Sequence, residues 1–84
     1  MLALKPNCEC CDKDLPPSAN DARMCTFECT FCRQCAEQRF NNICPNCKGN
    51  LVERPIRTKV LLVSNPASTK RFTKAHAECA TLNI

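Results

Sequence analysis

Closely spaced cysteine pairs, too few large apolar side chains for an ordinary core, and a hairpin-then-helix pattern between the pairs predict a small α+β domain held together by metal. Six cysteines fall between Cys25 and Cys47, and Cys29, Cys32, Cys35, Cys44 and Cys47 make three pairs with two-residue gaps. That gap lets two thiolates turn toward one tetrahedral ion. The first fifty residues offer Leu2, Leu4, Leu15, Met24, Phe27, Phe31, Phe40 and Ile43 as large apolar side chains, and the chain has no Trp or Tyr. Burial of so few groups does not offset the entropy of ordering the chain, so a covalent or coordinate contribution is expected. A structural zinc ion supplies about 10–16 kcal/mol of apparent binding free energy, which is then folding free energy.

The 84 residues leave room for one small domain and a tail, divided here into residues 1–54 and a basic segment 55–84. Ten cysteines also suit a secreted disulfide scaffold. The start of the chain argues against it. Met1-Leu-Ala-Leu-Lys5-Pro6 is far short of a signal-peptide core, and no apolar run reaches membrane-spanning length. A cytoplasmic location with no membrane contact is therefore expected. There, thiols stay reduced and Cys-x-x-Cys pairs bind metal.

Charge is divided along the chain. Residues 1–47 carry five Lys/Arg and six Asp/Glu, and residues 48–84 carry seven and two. Eight thiolates around two Zn²⁺ would make the first part more negative still. The net charge of +4 is then a poor guide to nucleic acid, because the metal-loaded chain is bipolar rather than uniformly basic.

In chain order, Cys8 and Cys11 have the two-residue gap, and the polar residues after Cys11 suit a knuckle turn. Pairing Cys8 with Cys10 closes a tighter loop and is the less favoured alternative. On the favoured pairing Cys10 is left over, read as a small buried or partly exposed thiol rather than as a redox-sensitive site or swap ligand. Residues 14–21 form a proline- and turn-rich loop. Residues 22–27 read as a short strand and residues 28–32 as its returning arm. Residues 33–40 read as a helix whose inner face carries Cys32, Cys35, Ala36 and Phe40. Asn41 and Asn42 end it. Cys44-Pro45-Asn46-Cys47 is a second knuckle, after which Gly49 suits a positive φ. Leu51 and Val52 suggest a final short strand. Residues 56–63 are basic and then apolar, and residues 64–66 break them. Ser68 is placed to cap a last helix over residues 69–82.

With Cys8 and Cys11 taken first, eight cysteines have gaps of 2, 13, 3, 2, 2, 8 and 2 residues and end in Cys44-Pro45-x-Cys47. This spacing resembles the RING pattern, in which four ligand pairs alternate between two zinc ions. The resemblance implies a RING-like cross-brace with a short β-hairpin, one helix and two Cys₄ zinc sites. Cys8, Cys11, Cys32 and Cys35 would hold one ion, and Cys25, Cys29, Cys44 and Cys47 the other. Sequential sharing, in tandem zinc loops, is the alternative, with a single zinc and spare thiols behind it. The chain departs from the RING pattern at Cys29, where His is common, and at Glu9, where ubiquitin ligases place an apolar residue. The helix also lacks Trp. Ligase activity is therefore not expected, although Lys48 stands where such ligases carry a basic residue.

The strings Pro-Asn-Cys-Glu-Cys-Cys-Asp-Lys-Asp-Leu-Pro-Pro, Phe-Glu-Cys-Thr-Phe-Cys, Cys-Pro-Asn-Cys and Leu-Val-Glu-Arg-Pro are similar, over residues 4–57, to a family of short bacterial proteins catalogued as a domain of unknown function. That resemblance implies a cytoplasmic bacterial protein and supplies no activity.

No catalytic constellation stands out: there is one His and no Gly-rich phosphate loop. Four-thiolate zinc sites are closed to water. The expected role is a non-enzymatic zinc-binding interaction module docking a protein partner. Two alternatives are a nucleic-acid binder acting through Arg54, Arg57, Lys59, Lys70, Arg71 and Lys74, and a thiol-redox or zinc-handling protein. Those bases are first read as a solvated face, then as folding back on the acidic core, then as phosphate contacts. His76 and Cys79 share a face in the expected last helix and are read there as face residues rather than ligands.

Overall fold

The computed structural model describes residues 2–71 and Thr73. Its elements in chain order are β1 (Ala22–Met24), β2 (Thr30–Cys32), α1 (Arg33–Gln38), β3 (Val52–Glu53) and α2 (Lys59–Ser64). The strands form one antiparallel sheet in the order β2-β1-β3, with Arg23 opposite both Phe31 and Glu53. The hairpin and first helix lie where the sequence places them, each trimmed at its ends. Leu51 stays buried beside β3, whose two residues are exposed.

α1 starts at Cys32, whose backbone is extended and whose sulfur accepts the N–H of Cys35 at 3.5 Å, the role a hydroxyl or carboxylate fills at most helix starts. Asn41 and Asn42, with φ of 51° and 60°, turn the chain out of the helix, and the Asn42 N–H closes on the Ala36 carbonyl at 2.6 Å. Six residues make too short a helix to persist alone in water. Packing holds it. Cys35 and Ala36 are buried, and Phe40 beyond the helix meets Phe31 of β2 at 4.9 Å between ring centroids.

Two segments outside the sheet share one local architecture. In the first, the Cys8 N–H donates to the Lys13 carbonyl at 2.8 Å and the Asp12 N–H to the Cys8 carbonyl at 2.9 Å. In the second, the Cys44 N–H donates to the Gly49 carbonyl at 2.7 Å and the Lys48 N–H to the Cys44 carbonyl at 2.9 Å. Antiparallel bridges close each, Asn7 with Asp14 and Ile43 with Asn50. The left-handed residue in the second knuckle is Lys48, with φ of 68°, and not Gly49 as the sequence suggested. Gly49 has no positive φ; its N–H instead points at the Cys47 sulfur, 3.4 Å away.

Glu9 ties the first knuckle to the sheet. Its N–H donates to the Thr30 carbonyl at 2.9 Å, and its carboxylate accepts the Thr30 N–H at 2.7 Å and the Lys5 ammonium at 3.0 Å. The outer edge of β2 is thus covered, and the side chain is almost fully buried. Position 9, where RING ubiquitin ligases place an apolar residue, is internal in this fold.

Arg54 is the other tie. It is 1% exposed, and its guanidinium donates to the carbonyls of Lys5, Leu15 and Pro16 at 2.9, 3.3 and 3.0 Å. One side chain therefore gathers the amino-terminal segment and the proline loop against the end of β3. Burial lowers its pKa, and Asp21 partly opposes that. Among the described residues its Nε has no hydrogen-bond partner.

α2 was not expected from the sequence, although Thr58 is a residue type that can cap a helix. It begins at Thr58 without a side-chain cap bond and buries none of its residues. Beyond it the Ser68 N–H reaches the Leu4 carbonyl at 3.0 Å, and the Ser68 hydroxyl accepts the Lys70 N–H at 3.2 Å, a cap-like contact. Residues 69–71 are not helical. The remainder of the helix expected over 69–82, with Lys74, His76 and Cys79, lies outside the described residues.

Candidate metal centre

The knuckles, the end of β1 and the start of α1 bring seven cysteines into two clusters. The Sγ atoms of Cys8, Cys11, Cys32 and Cys35 lie within 4.8 Å of one another, as do those of Cys25, Cys44 and Cys47. Each cluster joins a knuckle to a distant segment: Cys8 and Cys11 meet the start of α1, and Cys44 and Cys47 meet the end of β1. The clusters interleave along the chain, so sequential sharing in tandem loops does not describe the geometry. These seven and Cys29 are free thiols in this fold, an arrangement unlike a scaffold of five disulfides.

Cys29 is placed less tightly. It is buried, and its thiol is hydrogen-bonded to that of Cys25, but it stands outside the compact set of three. Asn46 inside the second knuckle donates its Nδ2–H to the Cys29 sulfur at 3.3 Å, linking Cys29 to the loop that carries Cys44 and Cys47. Sequence spacing missed Asn46 as a partner of the cluster. Its place between two knuckle cysteines was the available signal.

The first cluster fits a tetrahedral thiolate site. Four sulfurs at about 2.3 Å from a zinc ion are about 3.8 Å apart. Cys11 and Cys32 have their sulfurs 3.7 Å apart. Backbone donors surround the same sulfurs: the N–H groups of Cys10 and Cys11 point at Cys8 Sγ at 3.4 and 3.5 Å. Such donors favour the charged thiolate and fix its orientation.

Without metal the thiols of Cys8, Cys25, Cys32, Cys35 and Cys44 are shifted in different directions. Cys8 is lowered to about 5, chiefly by a hydrogen bond from the Cys32 thiol and then, against burial, by the N–H groups of Cys11 and Cys10. Cys32 is pushed up, first by that same bond and then by burial. Burial, then the negative charge of Cys8, raises Cys35 to about 12. Burial likewise raises Cys44 to about 12. For Cys25 burial acts upward, but the N–H groups of Phe27 and Cys29 and the thiols of Cys47 and Cys29 together bring it down. One low thiol per cluster beside raised neighbours is the pattern of sulfurs crowded into one small volume.

Cys10 is buried, as expected for the leftover cysteine, but it is not a free thiol. It is disulfide-bonded. The tail bases are dispersed. Arg54 is internal, so it belongs to no surface face. Arg57 donates to the Asn65 carbonyl at 2.7 Å and to the Leu2 carbonyl. Arg71 returns to the acidic core, 2.9 Å from Asp12 Oδ1 and 2.8 Å from Asp14 Oδ1, and both carboxylates raise its pKa. Lys59 and Lys70 are exposed.

Fold and clusters together define a small cysteine-rich α+β module with two sites of metal-binding type. The chain belongs to the family described as protein of unknown function, DUF1272, whose pattern it matches over residues 1–57. It is 60% identical over 74 residues to an uncharacterized protein of Rhizobium meliloti (strain 1021), covering 88% of each chain. No solved structure matches it. Among the described residues no helix is long and apolar enough to cross a membrane.

Proposed function

We propose that this chain is a non-enzymatic zinc module, two Cys₄ sites in a RING-like cross-brace, that presents a surface for a cytoplasmic protein partner. Zinc is favoured by the all-sulfur donor set and by the 3.7 Å Cys11–Cys32 spacing. A zinc ion held by four thiolates has no open position for water, so its contribution is structural. It would fix two knuckles, a hairpin and a helix that the small apolar core does not hold alone.

The observation that carries the docking role is α2. Val60, Leu61 and Val63 are 80, 50 and 86% exposed, and the adjoining Ile56 is 52% exposed. A six-residue helix with its apolar side chains in water gains little from folding by itself. A groove of about 370 Å³ lies beside it, lined by Pro17, Ile56, Leu62 and the basic Arg57 and Lys59 among others. A partner with an apolar patch bordered by acidic side chains complements that surface. The test is native mass spectrometry with metal analysis, followed by crosslinking from position 60. Two zinc ions per chain, and a crosslinked protein lost in the Val60→Asp, Val63→Asp double variant, support the proposal. Metal-free folded protein, or crosslinking indifferent to both substitutions, would sink it.

A further inference from the structure

The two clusters are not equally complete. All four sulfurs of the first lie within 4.8 Å of one another, whereas in the second Cys25, Cys44 and Cys47 do so without Cys29. The backbone around Cys29 accounts for the difference. Cys29 closes the β1–β2 turn, where the Cys25 N–H donates to its carbonyl at 3.2 Å and Glu28 before it has φ of 64°. The next residue, Thr30, is fastened to the first knuckle. Its N–H donates to the Glu9 carboxylate at 2.7 Å, and its carbonyl accepts the Glu9 N–H at 2.9 Å. A ligand of the second set thus has its backbone held toward the first knuckle. Its side chain is drawn the other way: Asn46, exposed between Cys44 and Cys47, donates its Nδ2–H to the Cys29 sulfur at 3.3 Å.

We propose that the second cluster is the exchangeable metal site of the pair: Cys25, Cys44 and Cys47 grip the ion, Cys29 leaves first, and the Asn46 amide sets how firmly Cys29 is held. This rests on the two-zinc reading above and adds a division of labour to it. The first ion is retained, and the second passes to a competing ligand. Cys29 leaves as a thiolate and the incoming ligand takes its position, so the exchange is a ligand substitution with no change of oxidation state. Asn46 is a positioning residue here. A donor beside a ligand sulfur orients it, and loss of such a partner costs about 10–100-fold in metal affinity. Solvent access points the opposite way. Cys11 of the first cluster is exposed and Cys29 is buried, so access alone would empty the first site sooner.

The test loads the full-length chain with zinc, confirms two ions by native mass spectrometry, and challenges it with limiting EDTA. A one-ion intermediate is expected. Brief iodoacetamide treatment of that intermediate, followed by peptide mapping, should label Cys25, Cys29, Cys44 and Cys47 and spare the four cysteines of the first cluster. Asn46→Ala should speed loss of the second-site ion about tenfold and leave the first-site rate unchanged. Asn46→Gln, which keeps an amide donor, should recover part of the difference. Labelling of the first cluster ahead of the second would overturn the proposal. So would an Asn46→Ala chain that loses its ions at the unaltered rate. A chain that takes up no zinc overturns the zinc reading and this inference with it, whereas two bound ions that leave together overturn the exchange alone.

Discussion

Asp12 and Lys48 occupy the same place in the two knuckles. Each follows the second cysteine, has a left-handed backbone with φ of 65° and 68°, and donates its N–H to the first cysteine's carbonyl at 2.9 Å. A left-handed turn costs an L-residue roughly 1–2 kcal/mol, and a β-branched side chain more. Lys48 is the cleaner site for a test, because Asp12 also binds Asn7 and Arg71. Lys48→Gly should leave stability unchanged or raise it by up to about 1 kcal/mol, since relief of strain is partly offset by unfolded-state entropy. Lys48→Val should lower it by at least about 1 kcal/mol. Denaturant titration of the metal-loaded proteins distinguishes the two.

Arg54 and Arg71 are bases of one tail with opposite expected roles. Arg54 is internal and satisfies three carbonyls. Arg54→Ala strands those acceptors and leaves a cavity, and should cost about 3 kcal/mol or more. Lysine has one ammonium in place of a planar fork, so Arg54→Lys should recover only part of that loss. Arg71 pairs with Asp12 and Asp14 at the surface, where solvent and salt screen the attraction. Arg71→Ala should leave the unfolding midpoint nearly unchanged. Equal effects of Arg54→Ala and Arg71→Ala in urea would contradict the burial of Arg54.

That pair also marks how far the sequence could be read. Cysteine spacing is local and rigid, so the knuckles, the hairpin between Ala22 and Cys32 and the helix after Cys32 were legible from it. The inner face of Cys32, Cys35, Ala36 and Phe40 followed from helical periodicity, and all four are buried. Arg54 looked like a surface base because nothing local tells that Leu15 and Pro16 return to meet it. The burial of Glu9 was hidden for a related reason: its partner Thr30 is 21 positions away. Gly49 attracted the positive φ that Lys48 adopts, because the knuckle's own bonds, rather than residue type, decide where the turn is left-handed. α2 buries none of its residues, so no inward-facing stripe marked it, and Thr58 alone was too weak a start signal.

Metal binding should release protons. Cys32, Cys35 and Cys44 are raised in the metal-free fold, the last two to about 12, so all three carry protons at pH 7. Cys8, lowered to about 5, is already a thiolate there. Coordination requires thiolates, so binding favours the deprotonated state and apparent affinity rises with pH. At pH 7 the three raised thiols alone should give at least three protons per fully loaded chain. Titration calorimetry in two buffers of different ionisation enthalpy measures that number. A value near zero would mean the clusters are thiolate before metal arrives.

The interleaved clusters make a sharper prediction about cooperativity. Cys35 belongs to one cluster and Cys44 to the other, yet both are buried and line the same core. α1 begins in the first cluster and leads directly into the knuckle of the second. Neither cluster can therefore come apart without disturbing the packing of its neighbour. Cys35→Ser and Cys44→Ser should each lower the affinity of both sites and broaden amide signals from both knuckles. Two independent loops would instead lose one ion and keep the other site intact. Cys29→Ser should be milder, because Cys25, Cys44 and Cys47 remain grouped without it. Its loss should weaken the second site and leave the first at full occupancy. Metal counts and nuclear magnetic resonance spectra of the three variants decide the matter: a purely local loss in Cys35→Ser would refute the coupling.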